Sequence, residues 1–149
     1  MKDLRLYNLN FQGTDLSFIS KLESLEHLGF THCVGFEGFV SQNCFGKKFH
    51  LSICHKFEPD VVKTVISSFG GKSLYKLTLN VITTEIIDVV KKFCPNISFL
   101  FIGPQSEQFQ DEMIQAIQPI CDLSLKLLST RIGDSLVSKA LGDYLKSVE

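Results

Sequence analysis

His27, His32, His50 and His55 fall in one short stretch that also carries Cys33 and Cys54. Imidazole and thiolate are the usual ligands of zinc, so the cluster raises the question of a metal site. The spacing argues against one. The chain has no Cys-x-x-Cys and no His-x-x-x-His, and zinc ligands recur at fixed short intervals of that kind. A nucleophilic cysteine would need a histidine base beside it in space. Cys94 has no histidine in the adjacent segments, and Cys94 and Cys121 both suit burial as small hydrophobes. Gly71-Lys72-Ser73 resembles the end of a phosphate loop, but the glycine five residues before Gly71 is missing. The tripeptide also follows a helical pattern and precedes a strand pattern, the reverse of a P-loop. No catalytic residue, metal, cofactor or small-molecule site is expected.

The elements that carry these residues are repetitive. The stretch SLEHLGFTHC follows an apolar-x-x-apolar-x-apolar-x-x-Cys/Asn template, and the template returns along the chain. It starts at Met1 (with Leu4, Leu6, Leu9), at Leu25 (Leu28, Phe30, Cys33), at Leu74 (Leu77, Leu79), at Ile97 (Leu100, Ile102) and at Ile120 (Leu123, Leu125). A poorer copy begins at Gly46, with Phe49, Leu51 and Cys54 in its last three positions. It can instead begin at Lys48, with Leu51 and Ile53 inside. Counted from Gly46, the steps between copies are 24, 21, 28, 23 and 23 residues. Alternation within each copy predicts strands near Leu6, Leu28, Leu51, Leu77, Leu100 and Leu125.

Helical patterns lie between these strands. TDLSFISKLESL sets Leu16, Ile19 and Leu22 behind a Thr14 or Asp15 N-cap. EPDVVKTVISSF places Pro59 in a first turn, repeats Val62, Val65, Ile66 and Phe69, and stops at Gly70-Gly71. TTEIIDVVKKFC runs through Ile86, Val90 and Phe93 to a stop before Pro95. SEQFQDEMIQAIQPI sets Phe109, Met113 and Ile117 on one face, and IGDSLVSKALGDYLKSV is the last such pattern. A strand and a helix every 21 to 28 residues is too short a unit for an open doubly wound sheet. It predicts an α/β solenoid in which parallel strands stack and neighbouring repeats complete the core.

The 149 residues suffice for one domain with a core. Fifteen basic against sixteen acidic residues give a net charge of -1, no electrostatic basis for nucleic-acid binding. No apolar run is long enough to cross a bilayer. Asp3, Arg5 and Asn8 interrupt any signal-peptide core. Five cysteines without secretory spacing point to a reducing, intracellular compartment.

The LxxLxLxxC pattern, its steps and its full helices resemble the leucine-rich repeats of the ribonuclease-inhibitor-like, cysteine-containing kind. CPNISFLFI, which closes a helix and opens a strand, is similar to the Cys-Pro-Asn-Leu junction of F-box/leucine-rich-repeat proteins, particularly the large fungal sets. The resemblance covers nearly the whole chain. It implies a right-handed solenoid of about six repeats over residues 1–149, with a parallel concave sheet and convex helices. It also implies the substrate-recognition part of a Skp1-cullin-F-box ubiquitin ligase, in the cytoplasm or nucleus. No segment resembles the F-box itself, so contact with a Skp1-type adaptor is expected only through an element outside these residues, and the chain reads as a fragment or truncated member. Open ends imply a marginal or self-associating isolated chain. The alternative is a free-standing leucine-rich-repeat scaffold or inhibitor without a ubiquitin link.

Template positions 3, 5 and 7 point away from the core. The third row reads Asp3, His27, Lys48, Lys76, Phe99, Asp122. The fifth reads Arg5, Gly29, His50, Thr78, Phe101, Ser124, and the seventh Tyr7, Thr31, Ser52, Asn80, Gly103, Lys126. Phe99 and Phe101 stand out among polar neighbours, as aromatic pairs do at protein contact surfaces, unless a loop through Pro104-Gln105-Ser106 covers them. The expected partner-binding residues are therefore Phe99, Phe101, Lys76, Thr78, His50, His27 and Ser124, with a protein as the ligand. The ninth-position Cys33 and Cys54 are expected to bond to a neighbouring turn.

Overall fold

A computed structural model describes residues 1–36, 48–54, 57–103 and 110–130, together with Lys139, Gly142, Asp143 and Lys146. Six strands form one sheet in the order β1 (Asp3–Tyr7), β2 (His27–Thr31), β3 (Phe49–Cys54), β4 (Leu74–Leu79), β5 (Phe99–Ile102), β6 (Leu127–Thr130). Every neighbouring pair is parallel. Three helices, α1 (Pro59–Phe69), α2 (Thr84–Phe93) and α3 (Gln110–Cys121), pack consecutively, α1 on α2 and α2 on α3. Among the described residues no helix is long and apolar enough to cross a membrane.

Helices α1 and α2 begin and end for local reasons. Pro59 opens α1, where its missing N–H leaves nothing unpaired. Thr83 caps α2 by accepting a hydrogen bond from the Ile86 N–H at 3.2 Å. Cys94-Pro95 ends α2, since proline disfavours helix in the residue before it. Gly70 closes α1 with φ −64°, so its requirement is space: a Cβ there would sit 2.6 Å from the Ile66 carbonyl oxygen. The first helical pattern is a correction. Ser17–Lys21 forms a short 3-10 helix rather than an α-helix. Leu16, Ile19 and Leu22 are each three apart, the period at which 3-10 side chains line up.

Strand positions 4 and 6 and the helix faces form one apolar core. Leu28, Leu51, Leu77 and Leu100 are ladder neighbours and all 0% exposed, as the inward template positions require. Phe30 anchors one end, with Phe11, Phe36 and Phe69 rings at 5.8, 5.4 and 5.6 Å. Such aromatic contacts add to the burial itself.

One register settles an open choice and another differs from the expected one. Leu28 pairs with Leu51 and Phe30 with Ile53, so the third copy starts at Lys48, not Gly46. His50 therefore occupies the third position and Ser52 the fifth, while Cys54 pairs with Thr31 in the seventh. Cys54 is thus not the ninth-position residue. The ninth-position Cys33 bonds to the neighbouring strand rather than to a turn, its thiol donating to the Leu6 carbonyl at 3.3 Å. The last strand is also shifted. Phe99 pairs with Leu127 and Leu100 with Leu128, so this copy starts at Leu125. Ile120 and Cys121 belong to the end of α3, which runs through Pro119. Cys121 is half-buried at a helix end, not the opening of a strand. Residues 37–47, residues 104–109 and most of the final helical pattern lie outside the described residues.

Candidate partner-binding face

The outward rows follow from these registers. The third row is Asp3, His27, His50, Lys76, Phe99, Leu127, and the fifth is Arg5, Gly29, Ser52, Thr78, Phe101. The face divides into a polar half on β1 to β3 and an apolar half on β5 and β6, joined by β4.

The polar half is a continuous hydrogen-bonded chain. Arg5 holds Asp3 through two bonds, Nε to Oδ1 at 3.1 Å and Nη2 to Oδ2 at 3.0 Å. Asp3 Oδ2 lies 3.2 Å from His27 Nδ1, and His27 Nε2 lies 2.9 Å from Ser52 Oγ. Ser52 Oγ is 3.2 Å from His50 Nε2, which is 2.9 Å from Thr78 Oγ1. The carboxylate favours the His27 proton on Nδ1, Nε2 then accepts from the Ser52 hydroxyl, and His50 Nε2 is left to bond with the Thr78 hydroxyl. The hydrogen bonds from Arg5 and then His27 hold the Asp3 carboxyl below its ordinary range. Burial, followed by the like charges of His27, Lys76 and Arg5, pushes His50 down to about 3.

Carboxylate, imidazole and hydroxyl in this order form the relay of acyl-transfer enzymes. Ser52, however, stands in mid-strand, with its backbone within the ladders to β2 and β4. Backbone N–H groups in the plane of a sheet do not converge on Oγ as an oxyanion hole requires. The chain of contacts instead braces four strands, β1 to β4. Among the described residues no three His, Cys, Asp or Glu side chains are placed to hold a metal ion. Burial raises Cys94 to about 12, which holds it as a thiol.

The apolar half carries the aromatic pair. Phe99 and Phe101 are half-buried and alternate with the buried Leu100 and Ile102. Their outward faces are held by neighbours. Tyr75 meets Phe99 edge to face at 6.0 Å, and Lys76 Nζ stands 4.7 Å from the centre of the Phe101 ring. Leu127, paired with Phe99, is 46% exposed and extends the patch.

Six of the seven expected site residues lie on this face: His27, His50, Lys76, Thr78, Phe99 and Phe101. Ser124 does not. It is exposed in the turn before β6, and the register sets Ser129 opposite Phe101. Leu127 was missed because Ile120-Leu123-Leu125 repeats the template spacing one helix end too early. Tyr75 was missed because β4 carries an irregularity opposite Phe49 and His50, where Leu74 pairs with Phe49 and Lys76 with His50. Tyr75 is the extra residue, a β-bulge that the sequence pattern does not mark.

No family of proteins, curated protein or solved structure matches the chain.

Proposed function

We propose that the chain is a leucine-rich-repeat domain, a right-handed solenoid with its sheet concave and its helices convex, and that it works by binding a protein on the sheet face. The reading is non-enzymatic. The observation that carries it is the apolar patch of Phe99, Phe101 and Leu127 on an otherwise polar face. Interface cores are built from such aromatic anchors within a polar rim. Sequential parallel strands with a connection every 23 to 28 residues support the solenoid. A β-α-β connection in a parallel sheet is right-handed in nearly all folds.

The sequence resemblance extends this to the substrate-recognition repeats of an F-box-type ubiquitin-ligase adaptor, acting in the cytoplasm or nucleus. Cys33, Cys54, Cys94 and Cys121 are all free thiols, which suits a reducing compartment. The free-standing scaffold or inhibitor uses the same face and differs only in lacking a Skp1-type adaptor.

The test is affinity capture with the chain as bait, wild type against Phe101→Ala, read by mass spectrometry. A protein retained by wild type and lost by the variant supports the reading. Identical capture by both removes the face as the site. An F-box in the same gene, with co-capture of a Skp1-type adaptor by the full-length product, separates the ligase reading from the scaffold.

A further inference from the structure

The sheet has an open edge at β1. Among the described residues β1 has a strand neighbour on one side only. Backbone groups alternate sides along a strand, and the even-numbered residues direct theirs at β2. The Lys2 carbonyl accepts from the Glu26 and His27 N–H groups, and the Asn8 N–H donates to the Thr31 carbonyl. Asp3, Arg5 and Tyr7 therefore turn their N–H and C=O groups to the open side, a row that can template another strand. The core is open there too. Leu4 and Leu6 are only part-buried, while Leu28 and Phe30, their ladder partners on β2, are fully buried. Among the exposed large apolar side chains, Met1, Tyr7, Leu9 and Phe18 all belong to this first repeat.

The side chains select what can pair with this edge. Consider a second β1 strand, antiparallel and related by a two-fold axis. Residues that turn their backbone outward then face one another. Centring the pair on Asp3 or on Arg5 sets identical charges directly opposite, which disfavours it. Centring it on Leu6 or Tyr7 leaves Asp3 beyond the end of the partner's strand. Centring it on Leu4 sets Asp3 opposite Arg5 of the second copy, and Arg5 opposite its Asp3. The same register sets exposed Met1 opposite exposed Tyr7 and brings Leu4 against Leu4. Within each chain Arg5 already holds Asp3 by two hydrogen bonds, so the pairing gathers two carboxylates and two guanidinium groups into one cluster.

We infer that a second copy of the chain docks on β1, antiparallel about a two-fold axis at Leu4, so that two six-stranded sheets join edge to edge. The contact is self-complementary, as a two-fold interface must be, and it closes after two copies because each chain uses the same edge. A strand from another protein would gain the backbone bonds without this charge match. Phe99 and Phe101 lie four strands away on β5 and take no part, so the dimer and the partner-binding face are decided separately.

Sedimentation equilibrium of the whole chain at rising concentration tests this. Wild type should pass reversibly from one chain mass to two. Asp3→Arg and Arg5→Asp each replace both cross-copy ion pairs with like charges, and each should weaken dimerisation by about tenfold or more. An equimolar mixture of the two variants should dimerise again, since every arginine then faces an aspartate. Loss of fold would not be rescued by mixing, and thermal melts check each variant independently. In oxidised glutathione, Leu4→Cys should form a disulfide with its own counterpart, because directly opposite residues of a non-hydrogen-bonded pair stand about 4.5 Å apart at Cα. Leu6→Cys, which faces Lys2 in this register, should not. A monomer at every concentration would leave the edge to another protein's strand and overturn the inference. Masses growing beyond two, dimerisation of the charge variants equal to wild type, no rescue on mixing folded variants, or a Leu6→Cys cross-link as fast as that of Leu4→Cys would each overturn it as well.

Discussion

His27 and His50 lie face to face on neighbouring strands, their ring centroids 4.3 Å apart and their planes 12° from parallel. The stack exists because both residues hold the third template position, so the parallel ladder sets one directly beside the other. His27 faces the Asp3 carboxylate, whereas His50 faces hydroxyls and is flanked by His27 and Lys76. Burial, reinforced by the neighbouring cationic groups, keeps His50 neutral.

This asymmetry makes stability depend on pH. His50 falls from an ordinary 6.5 to about 3 in the folded chain. Between those values the unfolded chain takes up a proton that the folded chain refuses, so stability rises with pH through this window. The contribution is complete above about 6.5 and is lost as pH falls toward about 3. The lowered Asp3 acts in the same direction, but below its ordinary value of 3.8. Urea midpoints measured from pH 7 to pH 4 should fall steeply for wild type and much less for His50→Gln. Parallel curves would remove His50 as the cause.

The register of β6 sets the extent of the apolar patch. Leu127 is exposed, while Leu128 packs against the core. Leu127→Lys should change stability by less than about 0.5 kcal/mol, as surface substitutions do. Leu128→Lys should destabilise by about 2 kcal/mol or more, because it directs a charge at the core. The reverse order in chemical denaturation would restore the earlier register.

Gly35 has φ +78°, and a Cβ there would collide with Asn10 Oδ1 and stand 2.5 Å from the Gln12 nitrogen. Gly35→Ala meets both the left-handed backbone and a blocked space, so a loss of about 1–3 kcal/mol is expected. A melting temperature equal to wild type would show that this turn differs from the one described.

The four described cysteines should react in order of exposure. Cys33 and Cys94 are buried, and Cys94 is further protected by its raised ionisation. Cys54 and Cys121 are half-buried. Brief alkylation of the folded chain at pH 8, read by peptide mass spectrometry, should label Cys54 and Cys121 before the other two. Early labelling of Cys94 would contradict its place behind α2 and the Gly70 turn.

The repeat made most of the sheet legible. Leu74-x-x-Leu77-x-Leu79 fixes both the strand and its inward face, because a two-residue period within a strand leaves one register that buries all three. The same rule misled at Ile120-Leu123-Leu125, where the end of a helix and the following turn imitate the spacing. At β3, Phe49 and Leu51 fit the template as well as Leu51 and Ile53 do, since all three are inward. Only the neighbouring strand separates the choices. The aromatic pair could be read because Phe99 and Phe101 interrupt a polar row.

The most direct test of the partner-binding face compares Phe101→Ala with Thr78→Ala, in affinity for a captured partner and in thermal stability. The two residues are ladder neighbours on the same face. Loss of an aromatic anchor typically costs about 2 kcal/mol or more of binding, while rim residues contribute little. Phe101→Ala should therefore weaken binding by about thirtyfold with its melt nearly unchanged, and Thr78→Ala should alter neither by much. If Phe101→Ala unfolds the chain, or binds the partner as well as Thr78→Ala does, the face is not the site and the proposed function fails with it.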